Sequence, residues 1–267
     1  MPNPNEPGSP RFHPVVVGAL YPSVERGLAA DLAAARALGG CGYPVCTSLV
    51  MAGHNVVTDA TDVPEDTIRA QLEHVMQTVQ PAGVKIGVLS SHPAAEAVFR
   101  FADSFDGPVV LDIQLSGPSG ETVLTRRGIG VLMDHLAVSD LVVVGHADAE
   151  LLSEGEINSL DDAQVAAQRL AHRGARAVVI KCGTLPARHF EANGDAPDDT
   201  VFNTDLYFDG EEFALFEAPH ARGVNQDGTS SLFSLAALQG LAGRQVQQEA
   251  LQYAKRLVTD SLHKIKK

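Results

Sequence analysis

The sequence predicts an α/β fold in which a central, mostly parallel sheet carries helices on both faces. Three observations carry this expectation. Five short, Val-rich runs are apolar on both of their faces, as strands buried between two helix layers must be. They alternate with helical patterns, the arrangement of a doubly wound sheet. The chain of 267 residues is long enough to bury its core as one domain.

Taken in order, the Pro-rich opening, residues 1–13, reads as a disordered N-terminus ahead of a single domain over 14–267. The strand-like runs are "PVVVGA" (14–19), "GVKIGVL" (83–89), "PVVLDI" (108–113), "DLVVVG" (140–145) and "ARAVVIKCG" (175–183). After Pro64, Ile68, Leu72, Val75 and Met76 fall at helical spacing on one face. In the last third, "TDLYFDGEEFALFEAP" (204–219) reads as a hairpin turning at Asp209-Gly210. Two helices follow, over about 231–242 and 246–264, the second with Val246, Ala250, Leu251, Ala254, Leu257, Val258 and Leu262 along an apolar stripe. Residues 186–203 are too polar to pack and too long for an ordinary connection, which leaves a lid and a disordered segment as equal readings. Ligands bind such sheets beyond the carboxyl ends of the strands, which directs attention to 18–28, 86–92, 112–120, 145–150, 182–204 and 223–231.

Composition narrows the chemistry. A net charge of −13 leaves no basic stripe to neutralise nucleic-acid phosphates. No apolar run approaches a membrane span and the opening residues lack a signal peptide's pattern, so a soluble, cytoplasmic protein is expected. Cys41, Cys46 and Cys182 show no metal-ligand spacing and read as buried, reduced thiols. The Gly-x-x-x-x-Gly-Lys-Ser/Thr phosphate loop is absent.

The stretch "NQDGTSSLFSLAALQGLAG" (225–243) sets Gly228, Thr229, Ser230 and Ser231 just ahead of an Ala/Leu-rich helix. Two readings fit: a plain helix cap, or an anion site where backbone N–H groups and the helix dipole meet a phosphate. Together with other segments it resembles the hydroxymethylpyrimidine and phosphomethylpyrimidine kinases, and more distantly the pyridoxal kinases, of the ribokinase superfamily. The segments are "GLAADL" (27–32), "VKIGVL" (84–89), "DIQLSGPSG" (112–120), "DAELL" (148–152) and "VIKCG" (179–183), all in the family's order.

The resemblance implies a ribokinase-like fold, ATP with Mg²⁺, phosphoryl transfer to a hydroxymethyl group on a heteroaromatic ring, and a homodimer. It places Gly228, Thr229 and Ser230 at the anion hole, with Ser230 where the family has a second glycine. It places Ser231 where the family has a catalytic Cys or Asp. A serine hydroxyl is not deprotonated at neutral pH, so Asp227 is a candidate stand-in base. Lys181 matches the nucleotide-side lysine, and Asp148 stands in place of the metal-side glutamate. On the substrate side, Leu20 and Ala52 occupy positions where the family carries polar ring contacts, and His54 and Asn55 are candidate substitutes. Two functions follow: an ATP-dependent kinase of a pyrimidine or pyridine vitamin precursor, in thiamin or vitamin B6 metabolism, or a catalytically degenerate kinase fold that binds a nucleotide or ligand in a regulatory role.

Overall fold

The structure is a computed structural model and describes residues 12–21, 26–52, 57–115, 126–185, 202–221 and 226–265. In chain order the elements are β1 (Pro14–Leu20), α1 (Gly27–Ala37), β2 (Tyr43–Ala52), β3 (Val57–Asp62), α2 (Glu65–Thr78), β4 (Gly83–Ile86), α3 (His92–Asp103), β5 (Val109–Ile113), α4 (Arg126–Asp134), β6 (Leu141–Gly145), α5 (His146–Ser153), α6 (Leu160–His172), β7 (Val178–Gly183), β8 (Phe202–Phe208), β9 (Phe213–Pro219), α7 (Thr229–Ala242) and α8 (Gln247–Ile265). Among the described residues the strands form one nine-stranded sheet in the order β3-β2-β1-β4-β5-β6-β7-β8-β9. Strands β2, β1, β4, β5, β6 and β7 run parallel, and β3, β8 and β9 add antiparallel pairs at the two edges.

The two faces of the sheet carry separate cores. On one, Val15 and Val17 of β1, Val84 and Ile86 of β4, and Val109, Leu111 and Ile113 of β5 pack against α2 to α6. On the other, Val16, Val110, Val143 and Val179 pack against α1, α7 and α8. Alternate residues of one strand thus serve opposite helix layers, which is why the parallel strands read as unbroken apolar runs. The strand order reverses around β1, since the chain leaves it toward β2 and later returns to β4 on its other side. The crevice at such a reversal is where ligands bind in open α/β sheets.

Gly27 fixes how α1 meets this point. Its φ is 54°, and a Cβ there would lie 2.2 Å from the Ala19 carbonyl oxygen. Only glycine lets the chain pass that close to β1 and turn directly into the helix.

The five expected parallel strands are present, several of them shorter than their apolar runs: β4 ends at Ile86 and β7 begins at Val178. Strands β2 and β3 went unforeseen. β3, "VTDATD", is exposed at all but its first residue, so it offers no apolar pattern to read. The hairpin closes as expected, with the Asp209 carboxylate accepting the Glu211 and Glu212 N–H groups at 3.0 and 2.7 Å. Helix α8 buries Ala250, Leu251, Ala254 and Leu262, but Val246 lies before it and is 64% exposed. Met76 is also exposed. Phe12 is buried and accepts the Cys41 N–H at its carbonyl, 3.0 Å away. Of the three thiols only Cys182 is buried; Cys41 is exposed and Cys46 half-buried, and all are free. Most of 186–203 lies outside the described residues.

Candidate active site

Strand alternation puts charge where an apolar core would otherwise continue. Val84 and Ile86 point to one face of β4, so Lys85 points to the other; Leu111 and Ile113 do the same for Asp112 on β5. Asp31 comes from α1, on the same side of the sheet. Lys85 Nζ lies 2.8 Å from Asp31 Oδ1 and 3.1 Å from Asp112 Oδ2, and all three side chains are about 1% exposed. The cluster sits at the carboxyl end of β4: a Cβ on Gly87, the residue just after that strand, would lie 2.9 Å from Lys85 Nζ.

Two carboxylates sharing one ammonium leave a net charge of about −1 in a water-excluded place, and burial of an incompletely paired charge is costly. The cluster's acid-base state reflects this. Burial pushes the Asp31 carboxyl above its usual range, and the neighbouring Asp112 adds to the effect, while Lys85 and the Ser231 hydroxyl oppose it. Burial alone would lower the Lys85 ammonium, but Asp31 and Asp112 override it and hold it above its ordinary value. Lys85 is therefore a fixed cation.

Helix α7 starts directly against this cluster. Its N-cap is Gly228, in the left-handed region at φ 75°. The Thr229 hydroxyl donates to the Gln226 carbonyl at 2.7 Å, which closes the turn before the helix. The Ser230 hydroxyl donates inward to Asp112 Oδ1 at 2.8 Å. Ser231, the next residue of the turn, is buried and 3% exposed. Positive φ in this stretch falls on Gly228, so Ser230 fits an ordinary helical backbone at the position where the resemblance implies glycine. The Thr229 N–H bonds the Gln226 carbonyl at 3.2 Å and the Leu232 N–H the Gly228 carbonyl at 3.0 Å. With the Ser230 hydroxyl committed to Asp112, the helix therefore offers an anion the N–H groups of Ser230 and Ser231, together with the positive end of its dipole.

Asp227 stands one residue outside this turn. Its Oδ1 is paired with the Arg26 guanidinium at 3.0 Å, both side chains about one-third exposed, so the pair bridges the starts of α1 and α7 at the rim. A partly exposed ion pair of this kind contributes no more than about 1 kcal/mol. Arg26→Ala is accordingly expected to shift the melting temperature by less than about 3 °C in calorimetry.

The remaining expected residues are placed as follows. Asp148 is buried in the first turn of α5, and its Oδ2 accepts the Leu115 N–H at 3.0 Å. Lys181 is half-buried on β7, opposite Gly145 of β6 and Asp205 of β8. Leu20 ends β1 and packs at the margin of the core under α1 and α7. Ala52 ends β2, while His54 and Asn55 lie outside the described residues. The structure thus gathers Gly228, Thr229, Ser230 and Ser231 in one turn and leaves Asp227 at its edge.

Sequence reading gave no role to Asp31, Lys85, Asp112 or Arg26. The signal for Lys85 and Asp112 was present: a lone charge inside the apolar runs "GVKIGVL" and "PVVLDI" requires a buried partner of opposite sign. Arg26 carried no comparable signal.

Known proteins match this chain along nearly its whole length. The family model described as phosphomethylpyrimidine kinase matches residues 22–267. A hydroxymethylpyrimidine/phosphomethylpyrimidine kinase of Aquifex aeolicus is 28% identical over 243 residues, 90% of each chain. One of Haemophilus influenzae is 30% identical over 238 residues, 88% of this chain and 85% of that protein. Among solved structures, the pyridoxal kinase from Staphylococcus aureus in complex with AMP-PCP and pyridoxal superposes with a TM-score of 0.78 at 22% identity, covering 95% of this chain and 88% of that one. The phosphomethylpyrimidine kinase from Clostridium difficile gives 0.76 at 19% identity, covering 94% and 99%. At these identities the structural likeness is one of fold, and it is the ribokinase-like fold that the sequence predicts.

Proposed function

Because the chain belongs to the phosphomethylpyrimidine kinase family, we propose that it transfers the γ-phosphoryl group of ATP to a hydroxymethyl group on a pyrimidine or pyridine ring. The observation that carries this reading is the start of α7, which follows the left-handed Gly228 and is tied through Ser230 to the buried Asp31-Lys85-Asp112 cluster at the carboxyl ends of β4 and β5, leaving the Ser230 and Ser231 amides for an anion. Phosphoryl transfer is mostly positioning and electrostatic stabilisation, and the first turn after a left-handed glycine supplies converging donors for the moving group.

In this reading Gly228, Thr229, Ser230 and Ser231 form the phosphate end, and Lys181 lies toward the nucleotide. Mg²⁺ takes one or two carboxylates from a protein and fills its shell with water and phosphate oxygens. Asp148, oriented by the Leu115 N–H, fits that demand through water. Bound there, the ion would neutralise charge on the polyphosphate. Leu20 and Ala52 make the ring pocket more apolar than the family pattern, so ring recognition draws on His54, Asn55 or backbone groups. The homodimer belongs to the same proposal, supported by Leu49 and Met51, which stand exposed on β2 near an edge of the sheet. Among the described residues no helix is long and apolar enough to cross a membrane.

The position of Ser231 favours a second reading, a kinase fold that grips a nucleotide without turnover, because a hydroxyl alone is no base. Purified protein with Mg-ATP and hydroxymethylpyrimidine, its phosphate, pyridoxal and pyridoxine separates the two by ADP formation. Turnover of at least one ring alcohol is expected. ATP binding with no turnover of any of them supports the binding protein, and absence of nucleotide binding overturns both.

A further inference from the structure

Resting on that kinase reading, we infer that Ser230 is a positioning residue, whose hydroxyl ties the first turn of α7 to the buried Asp112 carboxylate and so holds the Ser230 and Ser231 amides on the phosphate. The hydroxyl itself is committed inward and touches no reacting atom.

A helix start of this kind needs support from outside the helix. First turns fray, because their amides lack partners four residues back. The usual remedy is an N-cap side chain, and the N-cap of α7 is Gly228, which has none. Thr229 turns its hydroxyl back to the Gln226 carbonyl at 2.7 Å, so it closes the preceding turn and does not brace the helix. Ser230 is the residue that reaches the sheet, donating to Asp112 Oδ1 at 2.8 Å.

Asp112 can serve as an anchor because it is anchored itself. It lies on β5, among the central strands, and Lys85 Nζ of β4 stands 3.1 Å from its Oδ2. Lys85 in turn donates to Asp31 Oδ1 of α1 at 2.8 Å. The chain from Ser230 to Asp31 thus links α7 to α1 through two strands of the sheet. A hydroxyl that donates to a carboxylate makes a stronger bond than one between neutral groups, and more so away from water. The Arg26-Asp227 pair joins the same two helices at the rim, but its side chains are about one-third exposed, which leaves the buried link as the stiffer of the two.

This accounts for a serine at the position where the resemblance implies glycine. The backbone of Ser230 has no positive φ, so a side chain fits there, and this one fastens the turn. Preorganised donors act only where charge develops, and a displacement of about 1 Å can cost on the order of 10²-fold in rate.

Ser230→Ala, Ser230→Gly and Ser230→Thr test the assignment in the full chain, with kinetics read below each variant's melting temperature. Alanine or glycine should lower kcat by roughly 10- to 100-fold and change KM for Mg-ATP by less than about threefold, since the displaced amides serve the moving group more than the ground state. Threonine keeps the hydroxyl donor and should bring kcat to within about threefold of wild type. Ser230→Gly is the sharper variant, because it installs the residue that the resemblance implies and should lose activity all the same. A glycine variant as active as wild type, or a loss confined to KM, overturns the inference.

Amide hydrogen exchange without nucleotide gives a readout independent of turnover. The Leu232 N–H, bonded to the Gly228 carbonyl at 3.0 Å, reports on the first turn. Alanine is the better helix former, so propensity alone would slow that exchange in Ser230→Ala. The tether requires it to quicken instead, by about tenfold or more, with no matching change in the middle of α7. Exchange that is unchanged or slower overturns the inference, and a fall in kcat beside it would assign the Ser230 hydroxyl to direct phosphate contact. A wild-type protein inert toward every ring alcohol overturns the kinase reading and the positioning role with it; quickened exchange would then leave a structural tether alone.

Discussion

Lys85→Met is expected to destabilise the fold by roughly 3–5 kcal/mol, lowering the melting temperature by on the order of 10 °C. The replacement fills much of the same volume, so lost packing is not the main cause. What it removes is the single cation between Asp31 and Asp112, both buried and both within 3.1 Å of the lysine nitrogen. The pH dependence of the loss is equally specific. Asp31 already has a raised pKa in the folded protein, and without Lys85 its carboxyl is raised further. A group whose folded pKa exceeds its unfolded one stabilises the fold below the unfolded value and loses that contribution as pH rises through the folded value. The variant should therefore approach wild-type stability in acid, and the gap should widen toward neutral pH. Calorimetry across that range decides the matter; a gap independent of pH would point to packing.

Gly228→Val is expected to lower kcat/KM for Mg-ATP by about 10³-fold, a loss of the size seen when an oxyanion donor is removed, while the melting temperature falls only a few degrees. Gly228 sits at φ 75°, a conformation that disfavours side chains and most of all β-branched ones. Relaxing the strain unwinds the cap, and with it moves the amides of Ser230 and Ser231 away from their common focus. Steady-state kinetics with Mg-ATP varied at saturating ring alcohol would detect this, and an unchanged kcat/KM would place the phosphate elsewhere.

How far the sequence disclosed this protein follows from how each feature is encoded. The buried parallel strands announce themselves because burial on both faces forces apolar residues at every position, as in β1 and β6. Strand β3 is exposed along almost its full length and depends on pairing with β2, a tertiary fact with no local pattern. The start of α7 was legible through Gly228 and Thr229, whose backbone needs are local. The destination of Ser230 was not, since it meets a carboxylate 118 positions away. Asp227 is another such case: read alone it is a spare carboxylate, yet it is held by an arginine 201 positions distant.

Those separations have a consequence for how the protein comes into being. The carboxylates and the lysine of the cluster are all made within the first 112 residues, whereas Ser230, which donates to Asp112, arrives 118 positions later. Contacts so far apart in sequence form slowly, because a long loop must close before they repay its entropy. During synthesis the sheet's charged centre waits, open to water, for the last third of the chain. Completing the polypeptide and closing the cluster are then a single event, because a chain that ends before α7 leaves Asp112 without its Ser230 partner.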